Sequence, residues 1–100
     1  MLAIGLMSGT SMDAVDVAVV EFAADGCDLI HYQQYSIPDS LNSALKSVGP
    51  QTPLGQVMDL DASVGALFAT CATRAIQASG VDATKIGVIG SHGQTLLHSP

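Results

Sequence analysis

The sequence predicts an α/β fold, and the order of its hydrophobic patterns is the evidence. Segments with an apolar period of two come first, as in strands, and are joined by short turns. Segments with a helical period follow, and a last apolar run reads as one more strand. Three strands linked in this way form an antiparallel meander, and a fourth strand after helices can lie parallel beside the first. One hundred residues suffice for one small domain with its own core, and no break in composition indicates two.

The first three strands are expected within residues 2–37. Residues 2–6 are an apolar run, and residues 16–23 are rich in β-branched valines. Asp25-Gly26 marks the next turn, after which residues 28–37 read as the third strand. Strict alternation in that strand would place Leu29, His31, Gln33 and Tyr35 on one face and Ile30, Tyr32 and Gln34 on the other.

Two helices are predicted next. The first opens at Pro38-Asp39-Ser40, carries Leu41, Ala44, Leu45 and Val48 on one side, and is stopped by Gly49-Pro50. The second runs to Gly80, with Thr52 as its cap and Pro53 in its first turn. Apolar residues recur along it at steps of three and four, namely Val57, Leu60, Val64, Leu67, Phe68, Cys71 and Ala75.

The last predicted strand is residues 86–91, reached through a connector at residues 81–85. It is nearly all apolar, which is typical of a central strand covered on both faces. The edge of this strand and an apolar face are expected to be uncovered within residues 1–100. A protein of these 100 residues alone is therefore expected to be marginally stable or prone to aggregate.

The composition supports the same expectation. Hydrophobic residues are 48% of the chain and charged residues 12%, against about 25% charged in soluble domains. One face should therefore pack against protein outside this chain. The net charge of −6, with Lys46, Arg74 and Lys85 as the only basic residues, disfavours nucleic acid and anionic membranes as partners. A nucleotide remains compatible, because backbone amides and a metal ion can neutralise its phosphates.

Cysteine spacing and the start of the chain bear on the compartment. Cys27 and Cys71 belong to no Cys-x-x-Cys pair, so neither a zinc site nor a disulfide framework is indicated, and both are expected to be buried free thiols. No basic residue precedes Lys46, so the charged start of a secretory signal is missing. A cytoplasmic location is the expectation.

Residues 7–16 hold the strongest chemical signal. After the first apolar run the chain changes abruptly to Ser8, Gly9, Thr10 and Ser11. In such a turn glycine can adopt angles closed to other residues and bring main-chain N–H groups close to an anion, and the hydroxyls add donors. Asp13 and Asp16 follow, and a carboxylate beside phosphate is suited to a hard cation such as Mg²⁺. The alternative is an ordinary hairpin loop, in which such residues are common.

Three sequence blocks together resemble the anhydro-N-acetylmuramic acid kinases of bacterial cell-wall recycling. The first is Met-Ser-Gly-Thr-Ser-Met-Asp-Ala-Val-Asp-Val-Ala from Met7, and the last is Gly-Ser-His-Gly-Gln-Thr-Leu-Leu-His-Ser-Pro from Gly90. Between them, Leu-Asp-Ala-Ser-Val-Gly-Ala-Leu-Phe-Ala from Leu60 is similar to the family's central helix. The blocks occur in the family's order along the whole chain. One departure is Ala14, where the family more usually has glycine, and it would strain the turn if that residue needs a positive φ.

The resemblance implies a fold, an activity and a set of site residues. The fold is part of the ribonuclease-H-like lobe of the actin, Hsp70 and sugar-kinase superfamily, so residues 1–100 would be the incomplete N-terminal lobe of a two-lobed kinase. The activity is ATP-dependent conversion of 1,6-anhydro-N-acetylmuramic acid, with ring cleavage by water, to N-acetylmuramate 6-phosphate. The catalytic base is an aspartate of a later segment. The full-length protein would use Mg²⁺ and ATP, and could form a homodimer.

The residues implied to wrap the ATP phosphates are Gly9, Thr10, Ser11, Met12, Asp13, Ala14, Val15 and Asp16, with Asp13 approaching magnesium directly or through water. Sugar contacts are expected from His92, Gln94 and Thr95, which follow the last predicted strand at an edge where α/β sheets bind ligands. For His92 the alternative is a histidine that pins a loop to backbone carbonyls.

Other chemistries are weaker. Ser91 and His92 are adjacent on a strand and face opposite sides, so they cannot act as nucleophile and base. His92 and His98 match no zinc spacing. Asp59 and Asp61 face different directions on a helix and default to solvent, although Asp61 in the family-like block could border the cleft between lobes.

Two competing functions remain at this point. One is a non-catalytic fragment or small module that binds a partner through its apolar face. The other is a different sugar kinase of the superfamily, which only the specificity of the three blocks argues against.

Overall fold

The computed structural model describes residues 1–96, so that His98 and the end of the last family-like block lie outside the described residues. Strands β1 (Leu2–Ser8), β2 (Ala14–Ala23) and β3 (Gly26–Ser36) come first. Helices α1 (Asp39–Lys46) and α2 (Leu54–Ser79) follow, and a 3-10 turn at Ala83–Lys85 leads into strand β4 (Ile86–Gln94).

The described strands form one mixed sheet in the order β3-β2-β1-β4. The pairs β1–β2 and β2–β3 are antiparallel, whereas β4 lies parallel to β1. The crossover through α1 and α2 is what lets β4 return in the same direction as β1, because a parallel pair cannot be joined by a tight turn. The predicted α/β fold, the meander and the parallel fourth strand are confirmed.

Helix α2 covers one face of the sheet and makes the main core with it. Inward side chains of β1, β2 and β3 meet the predicted apolar stripe of α2, and the buried residues of this cluster are Ile4, Leu6, Val15, Val17, Val19, Tyr35, Ile37, Phe68, Cys71, Ala72 and Ala75. A smaller cluster of Met12, Leu45 and Leu60 joins the loop after β1 to both helices. Each buried aliphatic side chain stabilises the fold by about 1.5–3 kcal/mol.

The end of α2 is as predicted, but its start is not. Gly80 has φ 74 and caps the C-terminus in the left-handed conformation. Pro53, not Thr52, is the residue before the first helical turn, and it makes no side-chain cap. The Thr52 hydroxyl instead accepts a hydrogen bond from the Gly49 amide at 2.8 Å, because the chain turns tightly there.

Strand β4 differs most from its prediction. It extends to Gln94 instead of ending at Ser91, and it lies at the edge of the described sheet with Val88 and Ile89 about half exposed. Backbone pairing with β1 does not depend on side-chain polarity, which explains why the polar residues continue the strand. The uncovered edge that the sequence predicted is present.

Strand β3 also departs from strict alternation. Val19 pairs with His31 and Val20 with Leu29, so Ile30 is an extra residue and the two neighbours of this bulge lie on opposite faces. Cys27 is exposed on this edge strand, contrary to the expectation of two buried thiols, whereas Cys71 is buried in the core.

Candidate functional site

The loop between β1 and β2, residues 9–13, lies at the carboxyl end of β1. Because β4 is parallel to β1, the carboxyl end of β4 lies at the same edge of the sheet, where ligands bind in α/β folds. The Met12 amide donates to the Gly9 carbonyl oxygen at 3.1 Å, which closes a four-residue turn. We call residues 9–13 the β1–β2 loop.

Met12 is the residue that gives this loop its shape. Its φ is 58°, and it is the one non-glycine residue with a positive φ among residues 1–96. Its side chain is buried against Leu45 and Leu60, which fixes the loop onto the two helices. Burial of the thioether therefore offsets the cost of about 1–2 kcal/mol of the left-handed conformation.

The expected role of Gly9 is corrected by this geometry. Gly9 does not have a positive φ, and a Cβ placed on it would meet no atom within 4 Å. Gly9 therefore does not supply an unusual backbone conformation, and the space beside its Cα is free of other atoms of the described chain. Ala14 has no positive φ either and begins β2, so the family departure at this position causes no backbone strain.

The tip of the β1–β2 loop presents hydrogen-bond donors. Thr10 and Ser11 are exposed, and within residues 1–96 their backbone amides make no hydrogen bond to the protein. Two adjacent amides without a protein partner and two hydroxyls are donors of the kind that can bind phosphate oxygens. These donors require no basic side chain, which suits the acidic chain.

Asp13 stands beside this donor set and contacts helix α1. Its Oδ1 accepts a hydrogen bond from the Asn42 amide at 3.4 Å and lies 3.6 Å from the Lys46 ammonium. Both charged side chains are more than half exposed, so the ion pair contributes about 0–1 kcal/mol. One exposed carboxylate next to phosphate donors fits Mg²⁺, which usually takes one or two protein carboxylates and completes its shell with phosphate and water.

Asp16 lies apart from Asp13, on the outer face of the sheet. We use this name for the face that points away from α2, on which Met7 and Asp16 are paired. The Asp16 Oδ1 accepts hydrogen bonds from the Tyr32 hydroxyl at 2.6 Å and from the Gln34 amide at 2.9 Å. The first of these, with the negative charge of Asp16, raises the pKa of the Tyr32 phenol.

The end of β4 contacts the β1–β2 loop through Gln94. Its Oε1 accepts a hydrogen bond from the Ser8 hydroxyl, and its Nε2 donates to the Gly9 carbonyl oxygen at 3.0 Å. Ser8 is only 1% exposed and is the one buried polar side chain among the residues described. The first and last family-like blocks are therefore joined by side-chain hydrogen bonds.

His92 and Thr95 are placed differently from each other. His92 is an exposed residue of β4 and not of a loop after it, and within residues 1–96 its ring makes no hydrogen bond. Thr95 directly follows the strand, and its carbonyl oxygen accepts from Gln94 Nε2 at 2.9 Å. Ser91 and His92 are both strand residues, which agrees with the argument against a serine hydrolase.

A groove of about 490 Å³ lies between α2 and β4, beside Gln94. It is largely apolar, and Asp61 and Ser91 are among its polar residues. Asp61 therefore faces this groove in addition to solvent. The groove is one part of the apolar surface of the described residues.

Some site residues have no signal in the sequence. Asn42 reaches the loop from α1, and its amide also donates to the Met12 carbonyl oxygen. Lys46 stands in no motif, and being one of only three basic residues does not indicate that it lies near the loop. No feature of the local sequence indicates that the positive φ belongs to Met12 and not to a glycine.

Residues 1–96 contain no group of three or more His, Cys, Asp or Glu side chains arranged to hold a metal ion. None of the helices there combines the length and apolar character that a membrane span requires.

The fold and the loop define a class of protein. The mixed sheet, with its antiparallel meander and parallel β4, is part of a ribonuclease-H-like lobe of the sugar-kinase type. The sequence matches the family model described as anhydro-N-acetylmuramic acid kinase over residues 1–100. The chain belongs to the anhydro-N-acetylmuramic acid kinase family.

Individual relatives agree with the family match. The anhydro-N-acetylmuramic acid kinase of Vibrio vulnificus strain YJ016 is 46% identical over 101 residues, covering 99% of this chain. The enzymes of the same name from Shewanella amazonensis and a Sulfurovum species are 42% and 39% identical, over 99% and 97% of this chain. In each case the chain spans 27% of the relative's length.

Proposed function

We propose that this chain is the phosphate-binding part of an ATP-dependent kinase that acts on 1,6-anhydro-N-acetylmuramic acid. The observation that carries the proposal is the β1–β2 loop, in which unpaired amides and hydroxyls lie beside the Asp13 carboxylate at the ligand-binding edge of the sheet. Family membership supplies the reaction class. Since the chain spans 27% of its relatives, the activity belongs to the complete protein.

The reaction combines two steps on one sugar. Water adds at the anomeric carbon, the bond from that carbon to the 6-oxygen breaks, and the 6-oxygen takes the γ-phosphoryl group of ATP. The products are N-acetylmuramate 6-phosphate and ADP, which fits a role in peptidoglycan recycling and amino sugar catabolism. Phosphoryl transfer depends mainly on positioning and charge stabilisation, which is what a rigid donor loop supplies.

Different residues of the chain are proposed to bind the phosphates and the metal ion. Gly9, Thr10 and Ser11 would bind phosphate oxygens through amides and hydroxyls, and Met12, Asp13 and Ala14 would complete the wrap. Val15 is buried in the core and Asp16 lies on the outer face, so they would contribute less directly. Mg²⁺, when bound, would neutralise charge on the phosphates, and Asp13 would hold it directly or through water. Lys46 lies close enough to Asp13 to add positive charge at the same place.

The sugar side is proposed to lie at the end of β4. His92 is exposed and presents an imidazole there, and Thr95 adds a hydroxyl directly after the strand. Gln94 lies at the junction of the sugar and phosphate sides. The general base for the attacking water is proposed to lie in a later segment, so that residues 1–100 form an incomplete N-terminal lobe of a two-lobed kinase.

The experiment uses the complete protein with ATP, Mg²⁺ and 1,6-anhydro-N-acetylmuramic acid. ADP release coupled to formation of N-acetylmuramate 6-phosphate, identified by mass spectrometry, is expected. N-acetylmuramic acid and other sugars serve as matched substrates without the anhydro ring. Faster phosphorylation of one of them would show another sugar kinase, and no phosphorylation of any sugar would overturn the proposal.

A second candidate is favoured by the apolar groove and the exposed edge of β4. A protein ending near residue 100 could bind a partner through this surface and have no activity. Phosphorylation of the anhydro sugar by residues 1–100 alone would contradict this second function.

A further inference from the structure

We propose that Gln94 is a positioning residue that holds the β1–β2 loop in its phosphate-binding conformation, and that a β-bulge at His92 and Gly93 brings Gln94 to the loop. The proposal deepens the proposed function and rests on it, because the loop that Gln94 holds is the one assigned to ATP. It gives Gln94 a part on the phosphate side instead of direct contact with the sugar.

The register of β1 and β4 shows the bulge. Leu6 pairs with Ser91 and Ser8 pairs with Gln94, so two steps along β1 match three along β4. Gly93 within the bulge has φ 77, in the left-handed region that favours glycine. Without the extra residue, Gly93 would lie opposite Ser8, and alternation would turn Gln94 to the outer face.

The contacts use both ends of the Gln94 amide. Its oxygen accepts from the buried Ser8 hydroxyl, and its nitrogen donates to the carbonyl oxygens of Gly9 at 3.0 Å and Thr95 at 2.9 Å. Both amide protons are therefore engaged, and a direct sugar contact through them would require one of these bonds to break.

The Gly9 carbonyl oxygen is the point at which Gln94 acts on the loop. This oxygen also accepts from the Met12 amide at 3.1 Å, the bond that closes the turn. Truncation of Gln94 would remove the hydrogen bond that its amide donates to the Gly9 carbonyl oxygen. It would also leave the buried Ser8 hydroxyl without its acceptor. The loop would then sample conformations in which its free amides do not converge on phosphate.

The expected signature is selective for the nucleotide. In the complete protein, Gln94→Ala should raise the KM for ATP by about 10-fold. The Kd of a non-hydrolysable ATP analogue, measured by calorimetry, should rise by the same factor. Loss of a residue that only orients a ligand-binding group typically reduces affinity by about 10- to 100-fold, and we expect the lower end of that range. The KM for the sugar should change less than twofold. Ser8→Ala should act in the same direction, and the double variant should be no worse than Gln94→Ala, because both substitutions break one linked set of bonds.

The bulge is tested with a pair of glycine substitutions. A Cβ on Gly93 or on Gly90 would meet no atom within 4 Å, but only Gly93 has a positive φ. Gly93→Ala should therefore raise the KM for ATP as Gln94→Ala does, whereas Gly90→Ala should not. Should Gln94→Ala fail to fold, Gln94→Glu takes its place, since it keeps an acceptor for Ser8 but cannot donate to Gly9.

The outcomes separate this inference from the proposed function. In an active kinase, additive effects of Ser8→Ala and Gln94→Ala, or a rise in the sugar KM with an unchanged ATP KM, would overturn the positioning role alone. A wild-type complete protein without kinase activity overturns the proposed function, and the positioning role falls with it. A selective and non-additive loss of ATP affinity supports both.

Discussion

Asn42, in the first turns of α1, donates its side-chain amide to the backbone carbonyl oxygen of Met12 in the β1–β2 loop. The same amide lies 3.4 Å from the Asp13 carboxylate. One side chain thus contacts both the residue with the left-handed backbone and the acid that is proposed to hold magnesium. Helix α1 thereby becomes part of the site, although no motif in its sequence indicates this.

Replacement of Asn42 by alanine should loosen the β1–β2 loop. Loss of the bond to Met12 should lower the free energy of unfolding by about 1 kcal/mol, the usual net value of a hydrogen bond. ATP affinity should fall with it, because the free loop loses its preorganisation. Denaturant unfolding and calorimetric ATP binding measure the two effects, with the exposed Ser43→Ala on the same helix as control. Equal behaviour of the two variants would contradict the role of Asn42.

Substitutions of Met12 test backbone strain, because the glycine variant is expected to be more stable than the alanine variant, the reverse of the usual order. Met12→Ala and Met12→Gly both lose the buried side chain, but only glycine adopts φ 58 without strain. Met12→Gly should therefore be more stable than Met12→Ala by about 0.5–1 kcal/mol. Apparent Tm values from scanning calorimetry decide the order. If the alanine variant is the more stable one, the loop does not hold Met12 in the left-handed region.

Asp13 should matter for catalysis far more than for folding. It is exposed and its ion pair with Lys46 is weak, so Asp13→Ala should leave the apparent Tm almost unchanged. If the complete protein has the proposed kinase activity, its turnover should fall by about 100-fold or more, as when a group that stabilises transition-state charge is removed. Asp25→Ala, in the turn at the opposite end of β2, is the matched control. An unchanged rate at saturating ATP and Mg²⁺ would remove Asp13 from the mechanism.

Tyr32 should report on the charge of Asp16. The hydrogen bond from the Tyr32 hydroxyl to Asp16 raises the pKa of Tyr32 above its ordinary value, so this contact is intact below pH 10 and is lost as the pH rises through the raised pKa. Asp16→Asn removes the charge and Asp16→Ala also removes the acceptor. The pKa of Tyr32 should fall in that order in a ¹³C-tyrosine NMR titration, assigned with Tyr32→Phe. The same pKa in all three proteins would contradict the contact.

A protein of residues 1–100 alone should be marginally stable or aggregate. Val88 and Ile89 are about half exposed on the uncovered edge of β4, and Ile89 also lines the apolar groove. Sedimentation should show association, and thermal unfolding should be broad. Ile89→Lys should reduce the association, because a charge on an edge strand opposes pairing with another chain. A monomer with a sharp cooperative transition would refute this expectation.

The pattern of the sequence predicted the elements well, because strand and helix periods are local properties. The four strands, both helices and the parallel position of β4 needed only alternation, spacing and turn residues. Features that depend on contacts distant in sequence were not predictable in this way. The bulge at Gly93 exists only in the register with β1, and Asn42 meets Met12 only after α1 packs on the loop.

Within the five residues of the β1–β2 loop, some features could be predicted from the sequence and others could not. Its position after the first strand and its donors could be read from Ser8, Gly9, Thr10 and Ser11. The left-handed backbone of Met12 could not be predicted. Burial of its side chain between two helices is a tertiary effect, and it outweighs the local preference for glycine. The exposed position of Cys27 is likewise a tertiary property, because it depends on which part of β3 is covered, and Tyr35 on the same strand is buried.

Hydrogen exchange on the complete protein, with and without Mg²⁺ and a non-hydrolysable ATP analogue, tests most directly whether the β1–β2 loop binds nucleotide phosphates. We expect added protection at residues 9–16 and unchanged exchange at the β2–β3 turn, residues 24–25, at the opposite end of β2. Nucleotide binding, shown by calorimetry in the same samples, without any added protection at residues 9–16 would contradict the account.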